Sequence, residues 1–151
     1  MLPDYITEDF LNKFIASALE EDIGDGDHST LASIPPTASK NARLIVKDVG
    51  VLAGVFLAIR IFRFFDKTLK IETRMEDGAF VKPGDIAFVV SGPARSILMT
   101  ERLVLNCMQR MSGIATKTNH LTRLISGTGA TVLDTRKTTP NFRLLEKWAV
   151  R

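Results

Sequence analysis

Two adjacent cations, Arg136 and Lys137, stand among three hydroxyls in the run Leu133-Asp134-Thr135-Arg136-Lys137-Thr138-Thr139-Pro140. A guanidinium can grip a carboxylate with a two-pronged fork, a lysine adds a compact point charge, and hydroxyls such as those of Thr135 and Thr138 donate further hydrogen bonds. Together these residue types describe a site for a dianion. The run follows Thr131 to Asp134, which reads as a short buried strand, and loops at strand C-termini are where α/β folds place ligands. A solvated polar loop is the plainer reading of any Arg-Lys pair, and on the residues alone both readings stand.

Other chemistry-bearing residues carry less. The acidic segment from Glu21 to Thr30 invites a calcium reading, but its spacing does not fit. Counted from Asp25 as first ligand, the position that needs glycine holds Thr30 and the position that needs a bidentate acid holds Pro36. A structural loop is expected there. The single cysteine, Cys107, lies on an apolar helical pattern and reads as core packing rather than as a nucleophile. His120 falls on a helix and reads as a surface residue; neither it nor His28 is given a catalytic role. Gly127-Thr128-Gly129 precedes a strand, whereas a dinucleotide loop follows one, so it reads as a turn.

Composition bounds the class. The 151 residues are 45% hydrophobic and 25% charged, with a formal net charge of +3. That is ordinary for a packed soluble chain and too apolar for disorder. No block of like charge marks a nucleic-acid tail or a polybasic membrane patch, so neither nucleic acid nor membrane is expected as a partner. One cysteine permits no intrachain disulfide and suits a reducing compartment. Residues 1–11 carry acids instead of a positive leader segment, and the longest apolar run, Val49 to Ile59, is too short to span a bilayer. A cytoplasmic protein is expected.

The elements that would position these residues follow from periodicity. Thr7 precedes Glu8 and Asp9, and Phe10, Leu11, Phe14, Ile15, Ala18 and Leu19 recur at helical spacing, so an N-capped helix is predicted to about Glu20, ended by Gly24 and Gly26. Ala42 to Val46 suits a strand. After Gly54, the run Val55, Phe56, Ile59, Phe62 and Phe65 fits a helix. Lys70 to Arg74 alternates like a half-buried strand, turns are predicted at Asp77-Gly78 and Lys82-Pro83-Gly84-Asp85, and a strand over Ile86 to Val90 ends at Ser91-Gly92-Pro93. Met99 to Met111 carries a helical apolar stripe, Gly113 is expected to interrupt it, and a second helix runs from Ile114 to a stop at Gly127. The strand at Thr131 to Asp134 and a helix from Phe142 to Val150 complete the pattern. That helix reaches Arg151 with no cap, so the sequence reads as incomplete.

Several blocks, in order, carry a family resemblance: Thr100-Glu101-Arg102-Leu103-Val104-Leu105-Asn106, Gln109 to Thr116, Gly127 to Ala130, Leu133 to Pro140, and Arg143-Leu144-Leu145-Glu146-Lys147. With the acidic loop at Glu21-Asp22 and Gly26-Asp27 and the two glycine turns, they make the chain resemble the quinolinate phosphoribosyltransferase family over almost its whole length. The resemblance implies an α+β N-terminal sandwich domain over residues 1–106, followed by the opening βα units of an α/β barrel over 107–151. It implies that quinolinate and phosphoribosyl pyrophosphate are converted to nicotinate mononucleotide, pyrophosphate and carbon dioxide with magnesium, in de novo NAD biosynthesis.

It also implies a homodimer with a shared site, in which Arg102 reaches to the partner's quinolinate while Thr135, Arg136 and Lys137 bind it within the barrel. The family's histidine, a later lysine, and the acids that serve the phosphoribosyl group and magnesium are expected beyond Arg151. No catalytic residue is therefore assigned in this chain, which is expected not to turn over alone. Two alternatives stay open: a molybdenum-transport-associated relative of the same fold, and a non-enzymatic binding or dimerisation fragment.

Overall fold

The computed structural model describes residues 2–151; Met1, where the leader reading begins, lies outside them. Helix α1 (Glu8–Ile23) starts where the Thr7 hydroxyl accepts the Phe10 amide at 3.1 Å and ends at Gly24, whose φ of 54° lets its amide turn back to the Glu20 carbonyl. Helix α2 (His28–Ser33) was not legible as a helix in the acidic loop. Asp27 caps it, accepting the Thr30 amide at 3.0 Å and the Thr30 hydroxyl at 2.5 Å. An aspartate three residues before a threonine was the available signal, and six residues are too few for periodicity to show.

Strand β1 (Ser39–Ile45), ribbon strand β2 (Gly50–Val51), helix α3 (Val55–Phe65), strands β3 (Lys70–Thr73), β4 (Phe80–Val81) and β5 (Ile86–Pro93) follow. Strand β5 is central in an antiparallel sheet of order β1-β5-β3, and β2 pairs with β4. Both β1 and β5 extend beyond the lengths read from the sequence, because Ser39, Lys40 and Asn41 pair with Pro93, Gly92 and Ser91. Main-chain pairing holds these polar ends where no apolar alternation marks a strand. Helix α3 carries no side-chain cap of its own; Asp77 supplies one from the turn before β4, accepting the Val55 amide at 2.7 Å and the Phe56 amide at 3.2 Å.

Helix α4 (Ala94–Leu124) is one element of 31 residues, about 46 Å long. The interruption expected at Gly113 does not occur. Ile97, Thr100, Val104, Cys107, Met108, Met111 and Ala115 make one buried stripe on both sides of Gly113. Two side chains flanking that glycine clasp β2 and its exit: the Ser112 hydroxyl accepts the Ala53 amide and the Thr116 hydroxyl accepts the Val51 amide, each at 2.9 Å. A helical glycine costs about 1 kcal/mol, less than this packing contributes. The expected domain limit at 106/107 lies inside α4.

Helix α5 (Arg143–Val150) buries Leu145, Trp148 and Ala149. Trp148 meets Phe56 of α3 edge-on at 5.7 Å, and Phe142 meets Phe14 of α1 at 5.7 Å. The strand expected at Thr131 to Asp134 is not formed: the segment is irregular and Leu133 is 84% exposed. An extended segment becomes a ladder only beside a strand that completes its hydrogen bonds, and among the described residues none lies there. No helix among the described residues is long and apolar enough to cross a membrane.

Two glycines separate packing from propensity. Gly54 has φ 93°, and a Cβ there would sit 3.3 Å from the Met108 Cα, whereas a Cβ at Gly113 would meet open space. Gly54→Ala should therefore lower the unfolding free energy by about 2–4 kcal/mol, while Gly113→Ala raises it by about 1 kcal/mol. Urea unfolding of the two variants reads both signs.

Candidate functional site

The Thr135-Arg136-Lys137 run lies on an exposed loop between α4 and α5. Its backbone is held from within by the Thr135 hydroxyl, which accepts the Lys137 amide at 3.0 Å. Helix α5 then reaches back over it. The Arg143 guanidinium donates to the Thr138 hydroxyl at 2.9 Å and to the Arg136 carbonyl at 3.3 Å, and the Lys147 ammonium meets Asp134 at 2.6 Å. Positions 143, 146 and 147 share one helix face by their spacing.

The middle one of those residues anchors the corner in the core. Glu146 is buried, and its Oε1 accepts Arg110 Nε at 3.0 Å, Arg110 Nη2 at 2.6 Å and the Thr139 amide at 3.4 Å. Arg110 Nη2 also donates to the Thr139 hydroxyl at 2.7 Å, so α4, α5 and the loop meet at one carboxylate. Burial pushes the Glu146 carboxyl up, but the hydrogen bonds from Arg110 and Thr139, with the guanidinium charge, outweigh it and hold the group below its ordinary value. Asn141, in the turn from Thr139 to Phe142, has φ 61°, the one positive value outside glycine among the described residues. Asparagine tolerates that region better than other residues with a Cβ.

The electrostatics of the corner are lopsided. Five cations, Arg110, Arg136, Lys137, Arg143 and Lys147, stand with Asp134 and Glu146 on these segments, and both carboxylates are already paired, Glu146 with Arg110 and Asp134 with Lys147. Among the described residues, the Arg136 and Lys137 side chains enter no hydrogen bond or ion pair. They are the corner's two cations without a partner among the described residues.

Arg102 sits elsewhere. It lies on α4 two turns before Arg110, about 12 Å along the axis, with its side chain 70% exposed and its Nη1 2.7 Å from Asp22 Oδ1 at the end of α1. Its partner among the described residues is Asp22, and no hydrogen bond or ion pair joins it to the loop that carries Thr135, Arg136 and Lys137. The acidic loop thus has structural employment: Asp22 holds Arg102 and Asp27 caps α2. The Thr30 hydroxyl and amide hold the Asp27 carboxyl below its usual range, with the Arg102 charge adding to them.

Cys107 is buried on α4, and burial pushes its thiol up to about 12, as inert packing requires. His120 is exposed. Sequence reasoning did not single out Arg110, Glu146 or Lys147 as individual residues. The Arg143, Glu146, Lys147 spacing could have marked one helix face, but no local pattern ties Arg110 to a glutamate 36 residues away.

Comparison with known proteins meets this geometry on the same residues. Residues 27–112 match the quinolinate phosphoribosyl transferase N-terminal domain, and residues 114–151, which hold the corner and α5, match its C-terminal domain. The chain belongs to the quinolinate phosphoribosyl transferase family. Among relatives of this family, the chloroplastic nicotinate-nucleotide pyrophosphorylase [carboxylating] of Oryza sativa subsp. japonica is 48% identical over 93% of this chain and 38% of its own length. The probable nicotinate-nucleotide pyrophosphorylase [carboxylating] of Bacillus subtilis (strain 168) is 38% identical over 93% of this chain and 48% of its own. The solved NadC of Streptococcus pyogenes superposes with a TM-score of 0.90 at 36% identity, over 96% of this chain and 52% of that one. The chain thus spans about half the length of the relatives it matches, and that likeness bears out the expected fold class of an α+β unit leading into an α/β one.

The buried carboxylate makes the corner's stability depend on pH. Because its folded value is depressed, Glu146 contributes stability that is present above its ordinary value of 4.5 and is lost as pH falls through the folded value. Glu146→Gln should lower the unfolding free energy by roughly 2 kcal/mol at pH 7, and the gap from the unaltered chain should narrow as pH falls below 4.5. Urea unfolding at stepped pH measures it; a gap independent of pH would contradict the assignment.

Proposed function

We propose that this chain supplies quinolinate-binding groups of a decarboxylating quinolinate phosphoribosyltransferase, which makes nicotinate mononucleotide, pyrophosphate and carbon dioxide from quinolinate and phosphoribosyl pyrophosphate. The observation that carries the reading is the pair of unengaged cations, Arg136 and Lys137, on a backbone that α4 and α5 hold in place, within a chain that matches both domains of the family.

Quinolinate presents two carboxylates beside a ring nitrogen. Each charge-assisted hydrogen bond to them contributes about 1.5–3 kcal/mol when shielded from water. Arg136 would take one carboxylate in a fork, Lys137 would add a point charge, and the Thr135 hydroxyl would donate once its own partner is met. With the diacid fixed, the ring nitrogen bonds to the anomeric carbon as the bond to pyrophosphate breaks, so orientation supplies much of the rate. Carbon dioxide then leaves from the carbon next to the cationic nitrogen, and the electron pair left on that carbon takes a proton. Fixed cations stabilise the developing charge.

Arg102, exposed and paired with Asp22 rather than with any group of the loop, completes the site of a second copy in this proposal, so the working unit is a homodimer. Magnesium accompanies phosphoribosyl pyrophosphate. Among the described residues no group of three or more His, Cys, Asp or Glu side chains could hold a metal ion, and no step is assigned to one on these residues. A cytoplasmic location belongs to the same proposal, since one buried free thiol suits a reducing compartment.

In the full-length protein, Arg136→Ala is expected to lower kcat/KM by roughly 100-fold, the equivalent of about 3 kcal/mol. A change under about threefold would remove Arg136 from the site. Sharing has its own test. Coexpressed Arg102→Ala and Arg136→Ala chains should recover up to about a quarter of the activity that neither shows alone, because mixed dimers hold one unaltered site. Recovery of nothing would place both residues in one copy.

A further inference from the structure

The corner holds two carboxylates where free cations are needed. Asp134 lies two residues from Arg136 and three from Lys137 along the chain, and Glu146 accepts the amide of Thr139 just beyond them. An unoccupied carboxylate at either place would attract the same guanidinium and ammonium that a dianion requires. Neither is unoccupied. Lys147 meets Asp134 at 2.6 Å, and Arg110 takes Glu146 through Nε and Nη2. Arg143 meanwhile holds the Arg136 carbonyl, which fixes the backbone from which the free guanidinium departs.

We propose that Lys147 and Arg110 are positioning residues that act by occupying the acids of the corner, so that Arg136 and Lys137 remain available to an anionic ligand. The five cations divide into two roles. Those from the helices are turned inward to the protein's own acceptors, and the two from the loop face outward unpaired. Lys147 does not touch the ligand in this arrangement; it determines what Arg136 can touch. The consequence for affinity rests on the quinolinate reading above, while the competition between Asp134 and the ligand for Arg136 does not.

The decisive variant is Lys147→Met, which keeps an apolar stem and removes the charge. In the full-length protein the Arg136 Nε–H resonance, observed by 15N NMR, should shift as its guanidinium closes onto Asp134, and Asp134→Asn in the same chain should return it. Calorimetry with pyridine-2,3-dicarboxylate should show affinity weakened about fivefold by Lys147→Met and restored to within about twofold by the added Asp134→Asn. A merely structural loss would not be rescued by removing the second partner. An unmoved Arg136 resonance in Lys147→Met, or a double variant no better than the single one, overturns the proposal. If Arg136→Ala binds the diacid as the unaltered protein does, the quinolinate reading falls instead, and the resonance still decides the competition. Should Lys147→Met fail to fold, Lys147→Gln under the same two measurements takes its place.

Discussion

One buried stripe on α4 touches every other layer of this structure. From Ile97 to Ala115 it presents apolar side chains to the sheet, to α1, to α3 and finally to α5, so a single rigid rod sets the relative positions of units that are otherwise far apart in sequence. The length of that rod is not a matter of helix propensity, since it contains Gly113 and three threonines in its second half. Burial and the two hydroxyl clasps at Ser112 and Thr116 keep it continuous. Those clasps also satisfy amides of the short β2 segment, which a two-residue strand cannot do by pairing alone.

Continuity of the rod has a chemical consequence. Arg102 and Arg110 are carried by the same helix at a fixed separation, one braced by Asp22 near α1 and the other locked to Glu146 of α5. An arginine that projects outward and an arginine that anchors the loop therefore move as one body. If the outward one serves a neighbouring copy, the helix links the site of one chain to the site of the next without a hinge between them.

The corner illustrates how unpaired cations persist beside acids. Apolar contacts of Leu145, Trp148 and Phe142 hold α5 against the core, and polar residues on its other side then reach the loop at defined positions. Glu146 is tolerated in a buried place because a guanidinium and an amide complete its hydrogen bonds. The positive surplus stays at Arg136 and Lys137 because the neighbouring carboxylates are already satisfied.

How much of this was legible in the residues depends on the range of the interaction involved. Local rules sufficed for the Thr7 cap, the Gly24 stop, the α3 and α5 stripes and the inert character of Cys107, since each depends on neighbours within a turn or two of helix. They also drew attention to the Thr135-Arg136-Lys137 run, a cation pair among hydroxyls, but left a dianion site and a solvated loop both standing there. Interactions between distant segments were not visible. The passage of α4 through Gly113 depends on Ser112 and Thr116 meeting a strand some 60 residues earlier, and the absence of a ladder at Thr131 to Asp134 depends on which strands lie beside it. The pairing of Arg110 with Glu146, and so the distinction between cations held inward and cations left free, arises only when α4 and α5 pack together. Residue types determined which chemistry was available here; tertiary packing decided which of the charges remain available to perform it, because a charge is free only when the fold has given its neighbours other partners.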